Sequence, residues 1–282
     1  MKNAPIPGAA KGAPLVKPYI VLLTDLGRVD PYVGQIRGVL HGLAPDTAVL
    51  DLSHSVPQHD VRTGAFFLVS SLPYYAPRAI CLIVVDPGVG SDRALLGLYS
   101  PERVCIAPNN GFLSLAAKNH AWDGLIAIDP QRVRRDLDLP ALSNTFHGRD
   151  IIAPLGARLA LGEDIHAFGD PMDMAALHTP AWSEPVRTED GVKATVLHVD
   201  RFGNVVLNLN AEEWTGPFST QNPYLPQYAM NIPLYSFYAQ ISQAAAGVIV
   251  GSQGYLELAC NCASAAKFLG LRPGHTLHVR LT

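Results

Sequence analysis

The sequence predicts an α/β protein, with an N-terminal open α/β sheet domain followed by a smaller C-terminal antiparallel β domain or β-barrel domain. Three observations predict it. Apolar runs of five to seven residues end in polar turns at Thr24, Ser53 and Asp86. Segments with helical apolar spacing separate these runs, and such alternation gives parallel strands with crossover helices. Beyond about Gly191 the texture changes to short alternating or apolar runs with turn residues between them, the pattern of a small antiparallel domain.

Tyr19 to Leu23 reads as a buried strand entering the turn Thr24-Asp25-Leu26-Gly27. Val33, Ile36, Leu40 and Leu43 then recur at helical spacing, with Asp30 as the expected N-cap and Pro31 as the first helical residue. Ala48 to Leu52 is a second strand. Val61, Ala65, Leu68, Val69 and Leu72 mark one face of a helix beginning near Asp60. A third strand, Ala79 to Val85, runs into Asp86-Pro87-Gly88-Val89-Gly90. A fourth, Val104 to Ala107, leads through Pro108-Asn109-Asn110-Gly111 to a helix, and Arg149 to Leu161 forms another, with Pro154 near its first turn. In the second half, strands are expected at Ala194 to Val199, Val205 to Asn208, Val248 to Gly251, Tyr255 to Ala259 and Thr276 to Leu281, with one late helix at Ala263 to Leu269. Glu213 to Tyr228, rich in Pro, Gln, Asn and aromatics, reads as a long loop or insertion. The expected domains are therefore a disordered arm at 1–18, an α/β domain at 19–190 and a β domain at 191–282.

The 282 residues suit two domains of roughly 150 residues or fewer each, and 48% apolar against 16% charged residues is the composition of a folded, compact protein. A formal charge of −3, from 21 basic and 24 acidic residues without a basic run, argues against nucleic acid or anionic membrane as a partner. The Ala-, Pro- and Gly-rich opening lacks the apolar core of a signal peptide, and no stretch approaches the roughly 20 apolar residues of a membrane span, so a cytoplasmic location is expected. Cys81, Cys105, Cys260 and Cys262 lack zinc-ribbon or disulfide spacing and read as reduced core residues.

Ligands of open α/β sheets gather beyond the carboxyl ends of the strands, which directs attention to the residues just after them. Asp25 sits where a carboxylate can accept both hydroxyls of a ribose, or simply close a turn. Asp86 emerges on a Gly-rich turn that lets backbone approach a ligand, or it terminates a strand as an Asp-Pro-Gly turn. Arg93 follows where the chain can fold back toward Asp86, or it is a surface residue. In Thr145-Phe146-His147-Gly148-Arg149-Asp150, a His precedes a helix whose first amides can face a bound group; a structural His is the alternative. Asp200-Arg201-Phe202-Gly203-Asn204 offers a carboxylate, an aromatic face and an amide suited to an amine and an adenine ring, or forms an ordinary β-turn. The Gly-rich dinucleotide and phosphate loops, the Gly-x-Ser-x-Gly elbow and the His-Glu-x-x-His zinc motif do not occur, so nicotinamide, ATP, serine-hydrolase and zinc-protease chemistry lose their usual signatures.

Together with Val85-Asp86-Pro87-Gly88-Val89-Gly90, Ala107-Pro108-Asn109-Asn110-Gly111 and Gly251-Ser252-Gln253-Gly254-Tyr255-Leu256-Glu257, these motifs resemble, in order and over residues 19 to 270, the S-adenosyl-L-methionine (SAM) hydroxide adenosyltransferase family, relatives of fluorinases and chlorinases. The resemblance implies hydrolysis of SAM to adenosine and L-methionine by attack of water or hydroxide on C5′, with no cofactor and no metal. It implies Asp86, Arg93 and His147 as the catalytic residues. It places Asp25 on the ribose, Phe202 and Asn204 at the adenine, and Asp200 and Ser252 at the methionine amine and carboxylate. It also implies a homotrimer with each site at a subunit interface.

The halogenating relatives carry Tyr where Asp86 and His147 stand, and the fluorinases Ser where Gly148 stands. Only 15 residues separate Arg93 from Asn109, without the fluorinase insertion. The resemblance thus implies water rather than halide as the nucleophile. Gln253 and Cys260 depart from the fluorinase pattern, each replacing an arginine near the substrate. A SAM or adenosine sensor, a SAM-dependent halogenase, and a metal-dependent phosphohydrolase built from Asp25, Asp86 and His147 are the competing readings.

Overall fold

The computed structural model describes residues 17–281, so nearly all of the expected N-terminal arm lies outside the described residues. The chain divides into two compact units after Thr179. Unit 1 contains strands β1 (Tyr19–Thr24), β2 (Val49–Ser53), β3 (Ala79–Val84), β4 (Leu95–Tyr99), β5 (Arg103–Pro108), β6 (Gly124–Ile128) and β7 (Gly169–Met172), and helices α1 (Tyr32–Leu43), α2 (Val61–Ser71), α3 (Ser114–Asn119), α4 (Pro130–Arg134) and α5 (Ala153–Ala160). The strands form one sheet in the order β2-β1-β3-β5-β4-β6-β7.

The expected parallel arrangement holds for β2, β1, β3 and β5. β4 then pairs antiparallel with β5 and β6, and β7 antiparallel with β6, so the sheet is mixed. Every residue of β1 and of β3 is buried, which explains why both read as continuous apolar runs rather than alternating ones. Ile20, Leu22, Ile80, Leu82 and Val84 share one core cluster with Ile36 and Leu40 of α1 and Leu155 and Leu159 of α5. Their alternates Val21, Leu23, Cys81, Ile83, Cys105 and Ala107 are equally buried, so both faces are covered. On that second side the ring of Phe112 lies against Gly64 of α2, where a Cβ would come within 2.5 Å of it.

α2 begins where expected, with the Asp60 side chain accepting from the Thr63 amide. α1 starts one residue later than expected: Pro31 is the N-cap, in helical conformation, and the Asp30 side chain does not cap the helix. The expected helix from Arg149 opens instead with a wide π turn, Gly148–Ile152, before α5.

Unit 2 contains β8 (Val186–Thr188), β9 (Gly191–Val199), β10 (Val205–Asn210), β11 (Pro223–Leu225), β12 (Met230–Asn231), β13 (Leu234–Tyr235), β14 (Gly247–Val250), β15 (Tyr255–Ala259) and β16 (Thr276–Leu281), with α6 (Ala211–Thr220) and α7 (Ala265–Leu269). Its sheet runs β12-β11-β16-β9-β10-β15-β14-β13, with β8 added to β9. One core cluster draws on β9, β10, β11, β14, β15 and β16, so the sheet wraps around it. Among the described residues no pairing joins the end strands β12 and β13.

The expected loop at Glu213 to Tyr228 is corrected to a helix, a strand and a turn. Asn210 caps α6 by accepting from the Glu212 amide, and Trp214 and Phe218, one turn apart, bury one face of the helix despite the interior Pro217. The cysteine reading also needs one correction. Cys81, Cys105 and Cys260 are buried and free, but Cys262 is exposed, in a left-handed turn with φ 51°. Burial pushes the Cys105 thiol well up, reinforced by the neighbouring Cys81, and burial likewise raises Cys260.

Candidate active site

The parallel register pairs Thr24 of β1 with Val84 of β3, so the chain leaves the sheet at Asp25 and Asp86 side by side. The connection after β1 leads to β2 on one side and that after β3 to β4 and β5 on the other. Such a divergence opens a crevice at the strand ends. A cavity of about 260 Å³ lies there, and Asp25, Asp86 and His147 all line it, with Tyr32, His59, Val84, Val89, Phe146 and Gly148 among their neighbours.

Asp86 is held by its own turn. Its Oδ1 accepts from the Gly88 amide at 3.1 Å and lies 3.2 Å from Nη2 of Arg93. The Arg93 guanidinium packs directly on Gly88: a Cβ there would fall 1.4 Å from Nη2. Arg93 itself does not line the cavity and reaches it through Asp86. The preceding residue, Val85, is anchored by Asn110, whose Nδ2 donates to its carbonyl at 2.9 Å while Oδ1 accepts from the Phe112 amide. The Pro-Asn-Asn-Gly motif therefore braces the Asp86 turn from outside the cavity.

Two glycines let the His147 segment approach this turn. A Cβ on Gly90, where φ is +83°, would meet the Asn144 carbonyl at 2.4 Å, and one on Gly148 would meet Cγ1 of Val84 at 2.6 Å. His147 is half-buried, and its ring makes no hydrogen bond among the described residues. Phe146 beside it is gripped edge-on by Tyr32, with centroids 5.3 Å apart at 82°, and stacked by Arg149 at 5.1 Å. Of the first amides of this helix, those of Arg149 and Asp150 both turn back to the Phe146 carbonyl and do not face the cavity. Arg149 and Asp150 form a bidentate pair at 2.7 and 3.0 Å. Burial would raise the Asp150 carboxyl, but Arg149, the Ser143 amide and Arg134 together hold it below its ordinary value. Those two residues of the motif pin the loop.

Asp25 lies in the cavity wall, and its Oδ2 accepts from the His59 amide at 2.9 Å, leaving Oδ1 without a partner among the described residues. The sequence reading missed His59, whose signal is a polar turn after β2 and whose backbone is left-handed with φ 64°. It also missed Tyr32. The carboxyl end of β1 is braced from beneath by buried His54, whose Nδ1 lies 3.0 Å from Oγ1 of Thr24 and whose carbonyl accepts from Gly27.

In unit 2, Asp200, Phe202 and Asn204 share one turn. Asp200 Oδ1 accepts from the amides of Phe202 and Asn204 at 2.9 and 2.8 Å, and Oδ2 accepts from Nδ2 of Asn204 at 2.9 Å. Asn204 is buried, whereas the Phe202 ring is 80% exposed. Ser252 follows Gly251 in the turn between β14 and β15. Among the described residues no three His, Cys, Asp or Glu side chains gather closely enough to hold a metal ion, and no helix is long and apolar enough to cross a membrane.

Residues 20–169 match the SAM hydroxide adenosyltransferase N-terminal domain and residues 194–278 the C-terminal domain. The chain belongs to the SAM hydroxide adenosyltransferase family. Within its range of similarity are (R)-S-adenosyl-L-methionine hydrolases of Salinispora tropica, 38% identical over 93% of this chain and 97% of that protein, and of Thermus thermophilus, 34% identical over 90% and 96%. A fluorinase of an Actinoplanes species is more distant, at 27% identity over 93% of this chain and 97% of its own. The fold is also that of an uncharacterized conserved protein from Thermotoga maritima, with TM-score 0.81, 26% identity and coverage of 93% and 99%. In this hydroxide adenosyltransferase, then, both family domains are present, and the cavity at the ends of β1 and β3 lies in the first.

Proposed function

We propose that this protein hydrolyses SAM to adenosine and L-methionine, with water or hydroxide attacking C5′ as the sulfonium departs. The observation that carries the site is the meeting of Asp86 and His147, from segments far apart in sequence, on one cavity wall, with Arg93 paired to Asp86 at 3.2 Å. Similarity to hydrolases over most of the chain supports the reaction.

The leaving group is a neutral thioether and needs no acid, so the demand falls on the nucleophile. Free water has a pKa near 15.7, and its proton must leave as the C–O bond forms. Asp86 has part of its accepting capacity committed to Gly88 and Arg93, whereas the His147 ring is uncommitted. This favours His147 as proton acceptor, with Asp86 orienting the water and Arg93 fixing the Asp86 carboxylate from outside the cavity. The free oxygen of Asp25 suits a ribose hydroxyl.

By family resemblance, Phe202 and Asn204 contact the adenine, Asp200 and Ser252 hold the methionine end, the second unit closes as a barrel, and a homotrimer completes each site at a subunit interface. The same resemblance supports a cofactor-free reaction in the cytoplasm.

The test is incubation with SAM in ¹⁸O-water followed by chromatography and mass spectrometry. Adenosine labelled at its 5′ oxygen, with unlabelled methionine, is the expected result, unchanged by chelator. Recovery of intact SAM would favour a sensor, and activity that disappears in chelator would favour metal-assisted chemistry.

A further inference from the structure

Among the described residues, Glu257 is the buried acidic residue of unit 2 that the proposed reaction leaves unused. It lies on β15, flanked in register by Val206 of β10 and Ile249 of β14, both apolar and buried. Only 6% of it is exposed, and no hydrogen bond or ion pair reaches its carboxyl group among the described residues. A largely buried carboxyl without a partner is costly to ionise, and it stays protonated until a cation arrives beside it.

Its surroundings indicate what that is. The carboxyl group lies over Gly251, where a Cβ would fall 2.0 Å from Oε1, directly before Ser252. Asp200 and Tyr238 are close enough to act on it electrostatically. Burial, then the charges of Glu257 and Asp200, push the Tyr238 phenol up, and burial followed by the Asp200 charge pushes Glu257 up to about 7. His198, the remaining titratable group in the same row, is a strand farther off behind Val206. Two neighbouring carboxyl groups, neither held in an ion pair among the described residues, suit a cation supplied from outside.

Asp200 alone cannot serve a primary ammonium fully. An ammonium presents three N–H donors, whereas a carboxylate has about four lone-pair positions, and three of those on Asp200 are taken by its own turn. We infer that Glu257 is a substrate-holding residue that receives the α-ammonium of the amino-acid end of the substrate beside Asp200, giving up its own proton to solvent as it does so. The inference rests on SAM being the substrate. The balance is simple: the carboxylic acid and the ammonium become a carboxylate–ammonium pair, and one proton leaves. No donor set for a metal is present among the described residues, which favours the organic cation.

The experiment compares the intact protein with Glu257→Gln, a neutral isostere that keeps the packing over Gly251. Binding of S-adenosyl-L-homocysteine, which keeps the amino-acid end but cannot react, is measured by calorimetry at pH 6.5 in buffers of different ionisation enthalpy. Adenosine, which lacks that end, is measured in parallel. Release of most of one proton on binding the homocysteine compound is expected, absent with adenosine and absent in Glu257→Gln. In the variant, KM for SAM should rise about 10- to 100-fold, the loss of one charge-assisted hydrogen bond, while adenosine binding stays as it was. Equal proton release and equal KM in the two proteins would overturn the inference, as would an equal loss of adenosine binding, which would mark Glu257 as structural. Failure of the parent protein to form adenosine from SAM would instead overturn the functional reading.

Discussion

Replacing Gly88 by alanine should separate activity from stability, because the added methyl group collides with the end of one flexible side chain and with little else. The new Cβ would lie 1.4 Å from Nη2 and 2.7 Å from Cζ of Arg93, so the guanidinium must leave its seat, and its 3.2 Å pairing with Asp86 goes with it. Gly88 does not hold a left-handed conformation. Its replacement therefore costs no backbone strain and, by restricting the unfolded chain, contributes about 0.4–1 kcal/mol of stability. If Arg93 holds the Asp86 carboxylate where it orients the attacking water, its displacement should lower kcat by roughly 10²-fold, the cost of a small misplacement of a reacting group. The assay is adenosine formation from SAM under saturating substrate, with thermal unfolding measured on the same preparation. Arg93→Ala should show a loss of the same size, and the double variant little further loss, since both act through one group. A Gly88→Ala protein with kcat within threefold of the parent would refute the role given to Arg93. A large drop in melting temperature would refute the claim that only the side chain moves.

Three other outcomes are expected. Glu257 binds its proton more tightly folded than unfolded, with a value of about 7 against an ordinary 4.5, so the ligand-free protein should be most stable below pH 4.5 with respect to this group. About 3 kcal/mol should be lost as pH rises through 7, a slope that denaturant titrations should find missing in Glu257→Gln. Asn110→Ala removes the 2.9 Å tether on Val85 and leaves a carbonyl unpaired, which should cost about 1–3 kcal/mol in chemical denaturation and lower kcat more than it raises KM. Gly148→Ala forces a methyl group into Val84 and should destabilise the protein by about 1–3 kcal/mol, measured by thermal melting, with Val84→Ala restoring most of the loss.

The parts legible in the sequence were those decided locally. β1 and β3 are buried on both faces and so carry unbroken apolar runs, and α2 announces its start with Asp60. The turns holding Asp25 and Asp86 follow directly from those strands. What stayed hidden depends on distant partners. β4 and β6 become strands because each pairs with strands on both sides, and their five-residue runs carry no signal of that. α6 was obscured by Gly216 and Pro217, and is held instead by burial of Trp214 and Phe218. In the site, Arg93 could be placed by chain geometry only as a residue near Asp86, and its seat on Gly88 emerges from the fold. His59 enters the cavity wall through a backbone amide, a group every residue shares and no side-chain pattern reveals. Glu257 reads in sequence as the polar member of an ordinary strand.

The contact between Gly148 and Val84 also constrains how such a site can change over generations. Introducing any side chain at position 148, a serine hydroxymethyl included, first meets a stiff β-branched neighbour at 2.6 Å. A descendant that shrinks Val84 beforehand can accept the change, whereas one that attempts it in the opposite order passes through a weakened intermediate. The order of the two substitutions would decide whether a lineage starting from this chain passes through that weakened state.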